Sequence, residues 1–289
     1  MSAQQLAHAR SLLFVPGNRP ERFERALASG ADAVILDLED AVAPQDKDAA
    51  RQQIALWLAA QPEAVRGRVL LRLNAEEDTT AHAADLAWLP ALHAHAPAAL
   101  VLPKAGDLRT LAAVAQAAHA GTPLLPLVES AAGWGAVDAL AAAPQVLRLV
   151  FGHLDFQLDM GMDGSPDQHE LLPVRLALVA ASRRAGLAAP IDGVSPTLDD
   201  ETQTRADTER ARRLGFGGKL CIHPRQVALV NAGLSPSAEE RDWARRVLAA
   251  NAAHGGAAFQ LDGRMVDAPV LRRAERIRSS ASTQDGLPP

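Results

Sequence analysis

Short apolar runs alternate along this chain with longer stretches in which apolar residues recur at helical spacing. Residues 11–16, 33–40, 69–74, 99–104, 123–130, 147–155, 190–196 and 218–224 read as strands. Their near-continuous Val, Leu and Ile content is the pattern of strands covered on both faces. Between them, residues 20–29, 46–58, 107–118, 168–185 and 199–214 read as helices, and Gly30 closes the first. Eight strand–helix units in series predict an α/β fold, a (β/α)8 TIM barrel. A doubly wound open sheet is the competing arrangement.

The tail departs from this rhythm. Ser237-Ala-Glu-Glu240 has the spacing of a capping box and predicts a helix to about residue 253. His254-Gly255-Gly256 breaks it, 257–265 reads as a short strand or turn, 268–277 as a further helix, and 279–289 as a frayed end. The expected organisation is a catalytic barrel over 1–233 and a C-terminal helical lid or oligomerisation segment over 234–289.

Composition narrows the function classes. The 289 residues carry a formal net charge of −5, with 48% hydrophobic and 22% charged residues, as in an ordinary globular protein. No basic excess is available to neutralise phosphates, so nucleic acid is not the expected partner. No apolar run approaches the roughly 18 residues of a membrane span, and residues 1–10 lack the apolar core of a signal peptide. The single cysteine, Cys221, excludes an internal disulfide framework and a Cys-rich zinc site. The expected location is cytoplasmic.

In a (β/α)8 barrel the chemistry collects at the C-terminal ends of the strands. Polar residues gather there: Glu39 and Asp40, Arg72 and Asn74, Lys104, Glu129 and Ser130, Asp155, Asp192 and Ser195, and His223. Glu129 and Asp155 end adjacent strands, a suitable pair for Mg²⁺, which needs few protein carboxylates because it keeps much of its water. Capping of the following helices is the structural alternative. Arg72 lies among apolar residues and needs an anion: a ligand carboxylate or enolate oxygen, or Glu39 or Asp40 of the protein itself. Asp40 has a second reading as a helix N-cap. Lys104 invites a Schiff-base role, but the surrounding carboxylates favour a salt-bridging lysine. Cys221 and His223 are expected to be structural, and His153 to share a face with Asp155 if the strand persists. The turn at Pro16, Gly17 and Arg19 leads into a helix and could hold a phosphate, with Lys47 and Arg51 adding charge. A solvated face is the alternative there.

The segments Ser11-Leu-Leu-Phe-Val-Pro-Gly17, Val34-Ile-Leu-Asp-Leu-Glu-Asp-Ala-Val42, Leu71-Arg-Leu-Asn74, Leu102-Pro-Lys104, Leu127-Val-Glu129, Phe151-Gly-His-Leu-Asp155 and Gly218-Lys-Leu-Cys-Ile-His-Pro224 occur in this order. Together they resemble the citrate lyase β-subunit-like family of the HpcH/HpaI aldolase group. The resemblance implies a barrel enzyme that uses Mg²⁺ and breaks or forms carbon–carbon bonds in 3-hydroxyacyl thioesters. It implies Glu129 and Asp155 as metal ligands, Arg72 as the oxyanion-stabilising residue, and Glu39 and Asp40 as groups ordering the metal's water and the arginine. It favours coenzyme A at the first loop, where Pro16, Gly17, Arg19 and Lys47 would bind it.

Asp262-Gly-Arg-Met-Val-Asp-Ala-Pro269 is similar to the lid motif of malyl-CoA and citramalyl-CoA lyases. By that resemblance Asp267 closes over a neighbouring subunit's site as acid/base, which implies a homo-oligomer, a trimer or hexamer. From the sequence alone Asp267 also reads as a helix N-cap. His153 departs from the family's smaller residue. The expected activity is cleavage of a 3-hydroxyacyl-CoA, such as malyl- or citramalyl-CoA, to a 2-oxo acid and a short acyl-CoA. The alternatives are a CoA-independent aldolase of 2-oxo-4-hydroxy acids, a citrate lyase β subunit working with an acyl carrier protein, or a non-catalytic protein on the same barrel.

Overall fold

The computed structural model describes residues 2–254 and 258–284. In chain order they form α1 (Ala3–Ala7), β1 (Ser11–Pro16), α2 (Phe23–Leu27), β2 (Ala33–Asp37), α3 (Lys47–Ala60), α4 (Glu63–Arg66), β3 (Val69–Arg72), α5 (Thr79–Trp88), β4 (Ala99–Leu102), α6 (Leu108–Ala117), β5 (Leu124–Val128), α7 (Ala131–Gly135), α8 (Val137–Ala142), β6 (Val150–Phe151), α9 (His153–Asp159), α10 (Leu172–Arg184), β7 (Ile191–Asp192), α11 (Glu201–Leu214), β8 (Gly218–Cys221), α12 (Pro224–Leu234), α13 (Ala238–Ala253), β9 (Phe259–Leu261), β10 (Arg264–Val266) and α14 (Ala268–Gln284).

Strands β1 to β8 pair in parallel, each with its neighbour in sequence, and β8 closes on β1. The open-sheet alternative is therefore excluded. Leu12, Ile35, Leu70, Val101, Leu127 and Ile191 fill the barrel interior, while the residues between them face the surrounding helices. The helices cover that outer face along one stripe: in α3 the buried Ala50, Ile54 and Leu58 recur every fourth residue. Gly30, at φ 81°, takes the left-handed conformation expected of a stop after α2. Fully buried Arg148 donates to the carbonyls of Leu6, Ala9 and Ala189 and ties the N-terminal segment to the barrel.

Each of the eight expected strands exists, but seven are shorter than the runs that predict them. The ladder stops at Asp37, Arg72, Leu102, Val128, Phe151, Asp192 and Cys221. Glu39, Asp40, Asn74, Lys104 and Glu129 consequently lie on the loops beyond, and Asp155 lies in the first turn of α9 rather than at a strand end. His153 opens that helix, so it does not share a strand face with Asp155.

One further correction, at Asp192, follows from strand alternation, and the same alternation agrees with the structural role expected of Cys221. Ile191 faces the interior, which turns Asp192 outward onto Arg175 of α10, 3.0 Å away. Leu220 likewise faces inward, which turns Cys221 outward. Neither Asp192 nor Cys221 lines the barrel mouth.

By contact density the chain divides into two compact units, Met1–Asn231 and Ala232–Pro289. The second has its own apolar core, with Val247 of α13, Phe259 and Val266 of the β9–β10 hairpin, and Ala274 of α14. Its capping box is present: Ser237 accepts from the Glu240 N–H, and the Glu240 side chain accepts from the Ser237 N–H. Residues 279–284, expected to fray, continue α14. The last five residues and Gly255-Gly256 lie outside the described residues. Among the described residues no helix is long and apolar enough to cross a membrane.

Candidate active site

Asp37 is the last residue of β2 and Arg72 the last of β3, and the strand register sets them side by side. Both share the inward face of core residues, Asp37 that of Ile35 and Arg72 that of Leu70. The Arg72 guanidinium donates from Nε to Asp37 Oδ1 at 2.7 Å and from Nη2 to Oδ2 at 2.6 Å. The Phe14 ring from β1 lies under the guanidinium, 4.8 Å from Cζ to the ring centroid. Asp37 also accepts the N–H groups of Glu39 at 3.0 Å and Ala41 at 3.3 Å. One carboxylate thus fixes both the arginine fork and the loop that carries Glu39 and Asp40.

The third corner of Arg72, Nη1, lies 2.5 Å from Glu39 Oε2, yet that buried oxygen takes no well-formed hydrogen bond. Asp40 is exposed, with Oδ2 3.7 Å from the same nitrogen. It caps none of the described helices. Glu129 follows β5 on the inward face and accepts the Lys104 N–H at 2.7 Å on Oε1.

The electrostatics follow from burial. Burial pushes Glu39 up to about 8, only partly offset by Arg72. Burial, with the charges of Glu39 and Asp155, raises Glu129 well above the usual carboxylate range. Burial alone would lower the arginine's pKa, but Asp37, Glu39 and Glu129 outweigh it and hold Arg72 above its ordinary value.

Arg72 and Asp37 neutralise each other. Glu39, Glu129 and Asp155 remain, with one orphaned buried oxygen among them. Such a group fits a divalent cation, because two positive charges would offset what a single guanidinium cannot. Among the described residues no three His, Cys, Asp or Glu side chains cluster at metal-binding distance. That donor set suits a hard cation that keeps water, held by two carboxylates, and not a closed zinc site.

The other expected residues lie as follows. In the first loop the Gly17 N–H donates to Asp37 O at 2.8 Å and the Arg19 N–H to Pro16 O at 3.1 Å. These two amides are therefore engaged within the fold, which corrects the expectation of a phosphate cradle built on them. Arg19 is exposed and paired with Glu21. Lys47 is buried: its Nζ reaches Asn74 Oδ1 and lies 3.4 Å from Asp78. Asp85 accepts from Arg51 Nε at 2.7 Å and from Asn74 Nδ2 at 2.9 Å, so Arg51 serves the layer behind the strands. Lys104 is exposed and makes no described ion pair, which corrects the salt-bridging reading; its contribution is the backbone N–H.

His153 is buried beside Phe151 and Gly193 with neither ring nitrogen hydrogen-bonded, and burial lowers its pKa to about 4. His223 Nδ1 accepts the Arg225 N–H at the start of α12. Burial raises the Cys221 thiol to about 12, leaving it unreactive. In the second unit Asp267 Oδ1 accepts the Val270 N–H at 3.3 Å and caps α14.

Asp37 is the residue that sequence reasoning missed. The available signal was period-two alternation from Ile35, together with an arginine at the matching position of the next strand.

The sequence matches the HpcH/HpaI aldolase/citrate lyase family over residues 10–224, which include every barrel residue of this site. The chain belongs to that family. As an HpcH/HpaI family member it is an enzyme of a lyase family.

A citrate lyase subunit beta-like protein of Deinococcus radiodurans is 36% identical and is aligned over 93% of this chain and 96% of its own. A (3S)-malyl-CoA thioesterase of Cereibacter sphaeroides is 34% identical over 92% of each chain. An L-malyl-CoA/beta-methylmalyl-CoA lyase of Rhodobacter capsulatus is 34% identical over 93% of each. Among solved structures, the protein CitE of Mycobacterium tuberculosis in complex with magnesium, acetoacetate and coenzyme A superposes with a TM-score of 0.82. It is 33% identical and covers 96% of this chain and 99% of that one.

Proposed function

We propose that the protein is a Mg²⁺-dependent lyase that cleaves a 3-hydroxyacyl-CoA of the malyl- or citramalyl-CoA type to a 2-oxo acid and a short acyl-CoA. The observation that carries this reading is the Arg72 fork, locked by Asp37 and set among the buried carboxylates Glu39 and Glu129. It supplies a fixed positive group for an oxyanion beside a donor set for a hard cation. The relatives that act on malyl-CoA and the neighbour holding magnesium and coenzyme A support the substrate class and the cofactor.

Glu129 and Asp155 would hold the metal. When bound, Mg²⁺ would supply Lewis-acid polarisation of the substrate's 3-hydroxyl and carboxylate oxygens. The chain's own residues do the rest. Asp267 of a second copy takes the proton from the 3-hydroxyl, directly or through water. The C2–C3 bond breaks as the new carbonyl forms at C3, and its electron pair moves onto the thioester as an enolate. Arg72 holds the enolate oxygen. Reprotonation at C2 gives the acyl-CoA. In the reverse direction Asp267 removes that C2 proton. Glu39 and Asp40 order water and the Arg72 guanidinium.

Of the first-loop set Pro16, Gly17, Arg19 and Lys47, only Arg19 is left to meet coenzyme A directly, because the Gly17 amide and the Lys47 ammonium are engaged within the fold. Arg19 is the solvent-facing member of that set. The 234–289 segment is read as a lid that completes the site of a second copy, in a cytoplasmic homotrimer or hexamer.

The test incubates the purified protein and Mg²⁺ with a panel of 3-hydroxyacyl-CoA esters and follows 2-oxo acid and acyl-CoA. The expected result is EDTA-sensitive cleavage of one ester. Free CoA without a 2-oxo acid would replace the reading with thioester hydrolysis. Cleavage of free hydroxy-oxo acids instead would replace it with a CoA-independent aldolase. Activity only on an acyl carrier protein would make the chain a citrate lyase β subunit.

A further inference from the structure

The carboxylate of Glu129 is held by two features that carry no side-chain chemistry of their own. The first is the peptide of Lys104. This residue has φ 46°, a left-handed conformation unusual for lysine, yet its side chain is exposed and makes no described ion pair. The chain turns just after its N–H. Two successive amides consequently reach β5 and its extension: Lys104 N–H to Glu129 Oε1 at 2.7 Å, and Ala105 N–H to Leu127 O at 3.1 Å.

The turn is held from behind by α7. A Cβ at Gly133 would stand 2.5 Å from Ala105 O, and one at Gly106 would stand 3.3 Å from the Ala132 Cβ. Ser130 Oγ accepts the Gly133 N–H at 3.1 Å and fixes the start of that helix. The dovetail of loop and helix leaves no room for a side chain at Gly133 and little at Gly106.

The second feature is Gly152, between β6 and α9. Its φ of −101° suits any residue, so backbone freedom does not explain the glycine. Space does. A Cβ there would fall on Glu129 Oε2 and stand 2.7 Å from Glu129 Cβ. Oε1 is thus tied by an amide on one side, while Oε2 packs against bare backbone on the other.

We propose that Gly152 and the Lys104 peptide are positioning groups that fix the Glu129 carboxylate in the orientation a divalent cation uses. The proposal rests on the reading of Glu129 as a metal ligand. Lys104 contributes through its strained turn and its N–H. Gly152 contributes through the side chain it lacks, and Gly133 preserves the turn. Supporting groups of this kind change metal affinity by about 10–100-fold when disturbed.

The test titrates Mn²⁺ into the full-length protein and reads free Mn²⁺ by electron paramagnetic resonance, with circular dichroism as the check on folding. Glu129→Gln tests the underlying reading: wild-type affinity in this variant would remove Glu129 from the metal site. Gly152→Ala tests the proposal, with an expected loss of about tenfold or more. Wild-type affinity in Gly152→Ala, with Glu129→Gln impaired, would overturn the proposal alone.

If Gly152→Ala does not fold, Gly133→Ala reads the other arm by pressing on Ala105 O. Affinity unchanged there would overturn the role of the Lys104 turn.

Discussion

Arg72 and Asp37 end neighbouring strands in direct register and meet through two hydrogen bonds, 2.7 and 2.6 Å long, with both side chains almost wholly buried. The pair is a structural clamp and a catalytic scaffold together. Two of the fork's nitrogens are committed to Asp37, and the third points to the carboxylate cluster.

Removing Asp37 leaves a buried guanidinium without its main counter-charge. Asp37→Ala should destabilise the protein by about 3–5 kcal/mol, measured by urea unfolding. Arg72→Lys keeps a charge for Asp37 but loses the fork, so its stability loss should be clearly smaller. Its turnover should nevertheless fall by about 10²–10³-fold, the usual cost of losing an oxyanion donor. Near wild-type turnover in Arg72→Lys would mean that the fork is structural only.

The raised Glu39 makes metal-free stability depend on pH. Its pKa moves from 4.5 to about 8 on folding. Between those values the native state keeps a proton that the unfolded state has lost, so stability is full below about pH 4.5 and falls as pH rises towards 8. Bound Mg²⁺ replaces the proton's role. The rise in melting temperature on adding Mg²⁺ to EDTA-treated protein should therefore grow from pH 5 to pH 8. An increment that stays flat or shrinks would place Glu39 outside the reach of the cation.

Asp267 caps α14 through one oxygen, so its two proposed duties can be separated. Asp267→Asn keeps a capping oxygen and should leave stability within a few tenths of a kcal/mol, while removing the proton acceptor and most of the turnover. Asp267→Ala should lose turnover and also about 0.5–2 kcal/mol. Full activity in the Asn variant would leave Asp267 as a cap alone. Thermal unfolding and steady-state rates read the two effects.

Cys221 faces the layer between barrel and helices, and burial holds its thiol near 12. It should resist a disulfide reagent in the native protein and react on unfolding. Cys221→Ala should keep turnover within about twofold. Native-state labelling that abolished activity would reopen thiol chemistry at this strand.

The residues that were legible in the sequence share a property. Ser11 to Pro16 and Leu124 to Val128 announce themselves because strands buried on both faces need near-continuous apolar runs. Ser237 and Glu240 announce a helix start because a capping box is a contact between residues three apart. Glu39, Arg72, Glu129 and Asp155 stood out as charges at the ends of such runs. Asp37 did not, because its partner is 35 residues away and only the β2–β3 register brings the two together.

Sequence by itself therefore determined the barrel, its eight strands, the separate tail and the rim on which the charges collect. Those features depend on local periodicity, and local periodicity is written in neighbouring residues. Tertiary structure alone decided which charges face the site and which face the helices. A strand two residues long, as β6 and β7 are, gives no periodic signal for the side its last residue takes. Packing settled it: Asp192 turned out to Arg175, His153 was buried behind β6, and the Lys104 peptide reached Glu129 across 25 residues of chain.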